Sequence, residues 1–168
     1  MSEASVSTMN EAAVIAEIYA RTRQNTRFFL NKVPADKFSS RPVAEGRKMN
    51  SAQWILGHLI QTEGDLGLRG TGGSPEEYPW LDKFTFGSTL SDNPADYPSK
   101  EELMQAFDTQ EQLVQKHIRS LSDEDLGKET GNSWLKTYRD QLYHMIRHEG
   151  SHAGHLGWIA AIYGADTP

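Results

Sequence analysis

Apolar residues recur at intervals of three and four positions along four long segments of the chain, and this spacing is typical of amphipathic helices. The first segment extends from about residue 10 to residue 31 and ends before Pro34, since proline cannot continue a helix. Its predicted apolar face consists of Val14, Ile18 and Phe28.

The other three helices are predicted from their start and stop signals. The second begins at Asn50 or Ser51, either of which can cap a helix, and it ends in the sequence "RGTGGSP". The third begins at Ser99 with the capping box "SKEE", and the last extends from about Leu135 to Tyr163. No segment alternates between apolar and polar residues for long enough to predict a strand.

These four segments predict an all-α fold, a four-helix bundle in which each helix buries one apolar face. The connection between helices two and three spans about 30 residues, far more than a tight antiparallel turn requires. It is long enough to cross the length of the bundle, so we expect helices two and three to run parallel, in the order up-down-down-up. A connection of this length is either a functional loop or a simple crossover, and the sequence leaves both open.

Composition narrows the class of protein. The chain has 168 residues, and we expect residues 1–168 to form one domain. Its net charge of −6 and the lack of a Lys/Arg stripe argue against nucleic-acid binding, and the absence of cysteine excludes disulfides, thiolate metal ligands and a cysteine nucleophile. The sequence contains no membrane span, and its N-terminal segment lacks the pattern of a signal peptide. We therefore expect a cytoplasmic protein with no membrane partner.

The string "HEGSH" at residues 148–152 matches the HExxH pattern of zinc peptidases, in which two histidines one helical turn apart bind the metal. These peptidases need a further ligand downstream. No glutamate follows Glu149, and "HAGHLGW" places its glycine and histidine differently from the extended HExxHxxGxxH pattern. The sequence also predicts no edge strand that would hold an extended peptide. It therefore argues against a peptidase.

Four of the six histidines lie on the last helix, within an arc of roughly 80° at ~100° per residue. The apolar residues of this helix centre its buried face close to His152, with His148 beside it. We therefore predict that His148 and His152 face inward, and that His144 and His155 lie at the rim of the face.

His58 lies at one edge of the apolar face of helix two, at a level where it can meet His148 and His152 in the middle of the bundle. His117 lies about 15 Å from His58 along the axis and is a poor fourth ligand. A single inward histidine is most simply a hydrogen-bonded core residue. Three neutral imidazoles in an apolar core would need several polar partners, and one divalent metal ion satisfies all three. A three-histidine set with an open position is also the pattern of reactive metal sites.

Two segments resemble the DinB/YfiT-like superfamily, and the likeness extends over nearly the whole chain. "VPADKFSSRPVAEGRKMNSAQWILGHLIQTE" is similar to the family's connector and second helix, with Trp54 and His58 in its W-x-x-x-H positions. "RDQLYHMIRHEGSHAGHLGWI" is similar to its last helix, whose usual pattern is H-E-x-x-H-x-G-Q. The resemblance implies a four-helix bundle with a long crossover, a divalent metal site at His58, His148 and His152, and a homodimer. The chain departs from the family pattern at His155, which stands where the family commonly has glutamine.

The resemblance also implies a chemistry, because some relatives conjugate or isomerise small molecules with a low-molecular-weight thiol. A neutral three-histidine site leaves the charge of a zinc, nickel or iron ion uncompensated, so a thiol bound there loses its proton readily. The thiol would be a co-substrate, and water activation for hydrolysis is an alternative. We therefore expect a metal-dependent transferase, isomerase or hydrolase that acts on a small-molecule substrate. A non-catalytic, stress-associated metal-binding bundle is the other hypothesis.

Several residues near the predicted site have two interpretations each. Glu149 is either a catalytic base or a carboxylate held in a salt bridge. Trp54 either contacts substrate or packs in the core, and His155 either contacts substrate or lies at the boundary. The crossover aromatic residues are candidates for covering the open metal position: Trp80, Phe86 and Tyr97.

A stripe of small residues follows the last helix at intervals of three and four positions, formed by Gly150, Gly154, Gly157 and Ala161. Glycine inside a helix costs about 1 kcal/mol relative to alanine, so the stripe needs a structural reason. Close approach of another helix is one. That helix belongs either to the same chain, as helix one or three, or to a second subunit in a two-fold dimer.

Overall fold

The computed structural model describes residues 10–166, so most of the N-terminal segment predicted to lack a signal peptide lies outside the described residues. Two short strands, β1 (Val43–Ala44) and β2 (Arg47–Lys48), pair as an antiparallel hairpin. The α-helices of the described residues are α1 (Glu11–Lys32), α2 (Ala52–Glu63), α3 (Lys100–Ser120), α4 (Asp123–Leu126) and α5 (Tyr138–Ile162). None of the helices in the described part of the chain is long and apolar enough to cross a bilayer.

Polar caps set where the long helices begin. The side chains of Asn10 and Ser51 accept hydrogen bonds from backbone N–H groups in the first turns of α1 and α2. Ser99 forms the predicted capping box with Glu102 at the start of α3. The last helix begins at Tyr138, three residues later than predicted, because Thr137 is its cap.

The four long helices form the predicted bundle. Glu11 contacts Arg139 at one end of the α1–α5 pair, and Phe29 packs on Gly157 at the other, so these two helices run parallel. The early residues of α2 share a core cluster with the first half of α3, and Leu68 beyond the end of α2 shares one with the second half of α3. Helices α2 and α3 are therefore also parallel, which confirms the up-down-down-up order.

The apolar face predicted for α1 was wrong. Val14, Ile18 and Phe28 are exposed, and the buried face instead contains Ala12, Ile15, Ala16, Tyr19, Arg23, Thr26 and Leu30. An arginine and a threonine interrupt this face, so apolar periodicity alone selects the opposite side of the helix. Both polar residues have buried partners, since Arg23 donates to the hydroxyl of Tyr19 on the same face and Thr26 donates to Glu149 of α5.

Beyond α2 the chain forms a short π-helix and then a 3₁₀ turn before it enters the crossover. Residues Gly64–Leu68 form a π-helix, and residues Arg69–Thr71 form a 3₁₀ turn that ends at Gly72, whose φ is +81°. At Gly67, an added Cβ would lie 2.5 Å from the sulfur of Met145. Glycine at this position therefore allows the π-helix that follows α2 to pack closely on α5.

The crossover between α2 and α3 is anchored in the core. Two 3₁₀ turns, Leu81–Phe84 and Pro94–Asp96, shape it. The ring of Phe84 is fully buried and packs directly on Gly57, where a Cβ would lie 2.3 Å from the ring. Its neighbours are Trp80 and Tyr97, whose ring centroids lie 5.6 and 5.4 Å away. The crossover is thus fixed against the face of α2 that carries His58.

Candidate metal centre

Three histidine side chains converge between α2 and α5, halfway along the bundle. Nε2 of His148 lies 3.2 Å from Nε2 of His58 and 3.2 Å from Nε2 of His152. The ligand atoms of all three residues lie within 4.8 Å of one another, so the set could hold a metal ion. The structure therefore brings together the three residues predicted as ligands.

The crossover fixes the orientation of His58. Its Nδ1–H donates a hydrogen bond of 2.7 Å to the carbonyl oxygen of Phe84, which leaves the lone pair of Nε2 directed at the other two histidines. The indole of Trp54 stacks on the imidazole, with centroids 4.8 Å apart and planes 11° apart. The indole N–H in turn donates to the carbonyl oxygen of Lys83, at 3.3 Å. Two crossover carbonyls thus hold one ligand and its stacking partner.

His155 lies behind His152 and does not line the site. Its Nδ1 is 3.4 Å from Nδ1 of His152, the ring nitrogen that does not face the other ligands. When Nε2 of His152 binds a metal, its Nδ1 carries the proton and donates to His155. The residue predicted to contact substrate is therefore positioned to orient a ligand.

Burial keeps the three imidazoles neutral. It lowers the pKa of His58, and it lowers the pKa values of His148 and His152 to about 4 and about 3. Burial is the larger cause of the latter two values, and positive charge on neighbouring histidines also contributes to them. Metal binding requires neutral imidazole, so these ligands need not lose a proton at neutral pH.

The two separations measured from Nε2 of His148 fit a divalent metal ion. Bonds of about 2.0–2.1 Å from zinc to imidazole nitrogen at tetrahedral angles place two such nitrogens about 3.3–3.4 Å apart, and a 90° angle places them about 2.8–3.0 Å apart. The observed separation of 3.2 Å falls between these values. An all-imidazole set suits zinc, nickel and iron alike, so the donors do not select one metal.

A cavity of about 890 Å³ opens over the three histidines. Trp54 lines it and is also a buried member of the core cluster, whereas Phe86 and Trp134 lie at its mouth, 97% and 70% exposed. Two large aromatic rings so exposed have little packing to stabilise them in the free protein. Polar side chains also contribute to the wall, including Gln61, Thr62 and Asp65. Within the part of the chain that the structure describes, the lining includes no lysine or arginine.

His144 and Trp134 belong to this cavity although sequence reasoning did not select them. Their rings meet edge to face, with centroids 4.9 Å apart. The ring of His144 lies 6.1 Å from that of His148, one helical turn away. The four-residue spacing signals that the two histidines are neighbours, but nothing in the sequence signals that the loop before α5 folds onto them.

Glu149 faces away from the cavity. It is fully buried between α1 and α5, where its Oε1 accepts a 2.8 Å hydrogen bond from Thr26 and lies 2.9 Å from Nε of Arg23. The same guanidinium binds Glu63 of α2. This arrangement supports the interpretation of Glu149 as a salt-bridged carboxylate and gives no support to its prediction as a catalytic base.

Other candidates also lie apart from the three ligands. His117 is bound to Thr71, with its Nε2 2.9 Å from the threonine hydroxyl, at the end of α3 as expected. Of the crossover aromatic residues, only Phe86 lines the cavity, since Trp80 and Tyr97 pack around Phe84.

Comparison with known proteins agrees with the fold. A family model described as the DinB superfamily matches residues 18–156, well over half of the chain. A crystal structure of a conserved protein from Enterococcus faecalis is similar, with a TM-score of 0.69 over 92% of this chain and 98% of that chain. The two sequences are 14% identical, so this likeness shows the fold alone. No curated protein matches the chain in sequence.

Proposed function

The chain belongs to the DinB superfamily, and we propose from this and from its histidine cluster that it binds one divalent metal ion through His58, His148 and His152. The observation that carries the proposal is the convergence of three buried or half-buried imidazoles beneath an open cavity, with Nε2 of His148 3.2 Å from Nε2 of His58 and 3.2 Å from Nε2 of His152. Without a metal, Nε2 of His58 is an acceptor, and a neutral His148 has one N–H to share between its two imidazole neighbours, whereas one metal ion satisfies all three nitrogens. Zinc, nickel and iron are the candidate ions.

The proposed activity is that of a metal-dependent transferase, with an isomerase or a hydrolase as variants of the same site. A divalent ion in this site would supply positive charge that lowers the pKa of a thiol or water molecule beside it. The protein has no cysteine, so the thiol would be a low-molecular-weight co-substrate. The histidines hold the site neutral, and Trp54 and Phe84 fix the orientation of His58.

The cavity walls favour a small-molecule substrate with an apolar part. Phe86 and Trp134 offer aromatic surface at the mouth, and they come from two separate loops that flank the histidines. A ligand that covers both rings would bury apolar surface that the free protein leaves in water, which contributes about 25 cal/mol per Å².

A non-catalytic metal-binding protein is the second candidate. It is favoured by the position of Glu149, because the carboxylate next to the ligands is held by Arg23 and Thr26 and does not reach the cavity. The two candidates differ in whether a fourth position at the metal exchanges with added thiol.

Metal analysis tests the site directly. We expect about one equivalent of metal in the purified protein, and a loss of at least about tenfold in metal affinity in His148→Ala and in His152→Ala. His117→Ala is the matched control, because it removes a half-buried histidine that binds Thr71 instead. Full occupancy in both site variants would contradict the proposal. In cobalt-substituted protein, a visible spectrum that does not respond to added thiol would favour the non-catalytic candidate.

We also propose that two copies associate through the outer face of α1 and α5. Large exposed apolar residues are concentrated there, on two adjacent helices: Val14, Ile18, Phe28, Tyr143, Trp158 and Ile162. One part of the small-residue stripe packs within the chain, and another part is open to a second subunit. Gly157 packs on Phe29 of the same chain, whereas no heavy atom of another element lies within 4 Å of a Cβ built on Gly154. The open part of the stripe supports close approach of a second subunit.

A further inference from the structure

The hydrogen bonds of His144 define which of its ring nitrogens carries the proton. A terminal nitrogen of Arg147 lies 2.7 Å from His144 Nδ1. A guanidinium can only donate, so Nδ1 accepts and the proton of the neutral ring lies on Nε2. Burial and the charge of Arg147 both lower the pKa of His144, which keeps the ring neutral. His144 is therefore a neutral Nε2–H donor.

This donor lies in the wall of the cavity beside the proposed metal ligands. The ring of His144 is one helical turn from His148, with planes 27° apart, and the indole of Trp134 packs edge-on against it. These contacts restrict the rotation of the ring. Among residues 10–166, His144 makes no other side-chain hydrogen bond, so its Nε2–H has no protein acceptor. A half-buried donor without a protein partner is available to a ligand.

We infer that His144 binds the substrate of the proposed metal site by donating its Nε2–H to an oxygen close to the atom held at the metal. This inference rests on the proposed function. The charge of the cavity narrows the class of acceptor, because its lining has an aspartate, Asp65, and no described lysine or arginine. A neutral carbonyl fits such a wall better than a carboxylate does. Because the ring of His144 lies 6.1 Å from that of His148, the substrate class is a thiol with a neutral carbonyl group, such as an amide, near its sulfur.

A pair of thiols of nearly equal shape tests the inference. Mercaptoacetamide carries the carbonyl, and 2-methyl-1-propanethiol carries an isopropyl group in place of the amide. Each is titrated into cobalt-substituted protein, and the visible spectrum gives its dissociation constant. The ratio of the two dissociation constants is measured in wild type and in a variant. Comparing these two ratios cancels the intrinsic difference between the thiols. In His144→Phe we expect the preference for mercaptoacetamide to fall by about five- to tenfold, the usual effect of losing one hydrogen bond.

Two further variants separate the hydrogen bond from general damage. His144→Gln retains an N–H donor and should keep part of the preference, whereas His117→Phe, far from the cavity, should keep all of it. Cobalt content and the spectrum without thiol should be unchanged in every variant. An unchanged ratio in His144→Phe would overturn the inference and leave the metal site standing. Failure of the wild type to bind cobalt would overturn the metal site, and the inference with it.

Discussion

Two buried carboxylates, Glu63 and Glu149, share one guanidinium at the centre of the bundle. Arg23 donates to Glu63 and to the hydroxyl of Tyr19, and its Nε lies 2.9 Å from Glu149. One positive charge cannot balance two negative charges in a site without water. Burial accordingly raises the pKa of Glu63 to about 8, against the lowering effect of Arg23. Glu63 therefore carries a proton at neutral pH, and the buried group is electrically balanced.

The raised pKa of Glu63 predicts how stability depends on pH. In the unfolded chain Glu63 ionises near pH 4.5, and in the folded chain only near pH 8. The contribution of Glu63 to the free energy of unfolding is therefore fully present below pH 4.5 and is lost as pH rises towards 8. Over this range the free energy of unfolding falls by up to about 1.4 kcal/mol per pH unit. We expect Glu63→Gln to make the free energy of unfolding less dependent on pH between 5 and 8. Denaturant unfolding of metal-free protein at several pH values measures this.

The control for this prediction is an exposed glutamate. Glu17 pairs with Arg21 on the surface of α1, so Glu17→Gln should leave the pH profile of wild type unchanged. A Glu63→Gln profile parallel to that of wild type would show that Glu63 is already ionised in the folded protein.

Residue patterns predicted the ligands better than they predicted the groups that orient them. His58, His148 and His152 were found from their positions on helical faces, because a helix fixes where its side chains point. The hydrogen bond from His58 to Phe84 joins residues 26 positions apart through an irregular loop, and no periodicity describes it. Arg23 was missed for another reason. Arginine is expected at the surface unless it is paired, and the sequence does not show its buried partners.

At the scale of elements, α3 and α1 show where prediction succeeds and where it fails. Leu103, Phe107, Val114 and Ile118 recur at helical spacing and are all buried on α3, because its core face is almost wholly apolar. The core face of α1 contains two alanines and the polar residues Arg23 and Thr26, so larger apolar side chains on its outer side dominate the pattern. The short helix α4 and the β1–β2 hairpin fell within segments predicted as connectors, being too short for a periodic signal.

From the contact between the crossover and α2 we predict that a substitution at this contact lowers metal affinity. In Gly57→Ala the new methyl group would lie 2.3 Å from the ring of Phe84, so the ring and the crossover must move. The carbonyl of Phe84 would move with them and release His58 Nδ1. We expect metal affinity to fall about tenfold or more, as when a partner of a metal ligand is lost, with a loss of about 1–3 kcal/mol in stability. Competition with a chelator and denaturant unfolding measure the two effects.

Gly67→Ala is the matched control for Gly57→Ala. Its methyl group would meet the flexible side chain of Met145 at 2.5 Å, away from the crossover. It should therefore cost some stability and leave metal affinity within about twofold of wild type, since methionine adapts its shape. Equal loss of metal affinity in the two variants would mean that general destabilisation, and not the contact with Phe84, controls the site.

At the scale of the whole molecule, one side of the bundle holds the cavity and another holds the exposed apolar face of α1 and α5. On that face Trp158 is 69% exposed and Ile18 is 47% exposed. Gly154 lies on the same helix as Trp158, one turn before it, with no other element within 4 Å of an added Cβ. Because the ligands point to the opposite side of α5, association and metal binding should be separable.

The substitution Gly154→Leu tests this arrangement. The Cβ of a leucine here meets nothing within 4 Å, and the substitution removes a helix-interior glycine, so the isolated subunit should be stabilised by up to about 1 kcal/mol. Between two closely packed helices the same side chain would separate the backbones, so we expect the dimer dissociation constant to rise by at least about tenfold. Gln112→Leu adds the same side chain to an exposed position of α3 and should not change assembly. Sedimentation at micromolar concentrations gives the masses, and chelator competition should give the same metal affinity for both variants. A wild-type protein that sediments as a monomer would refute the dimer, whereas a dimeric Gly154→Leu variant would move the interface to another face.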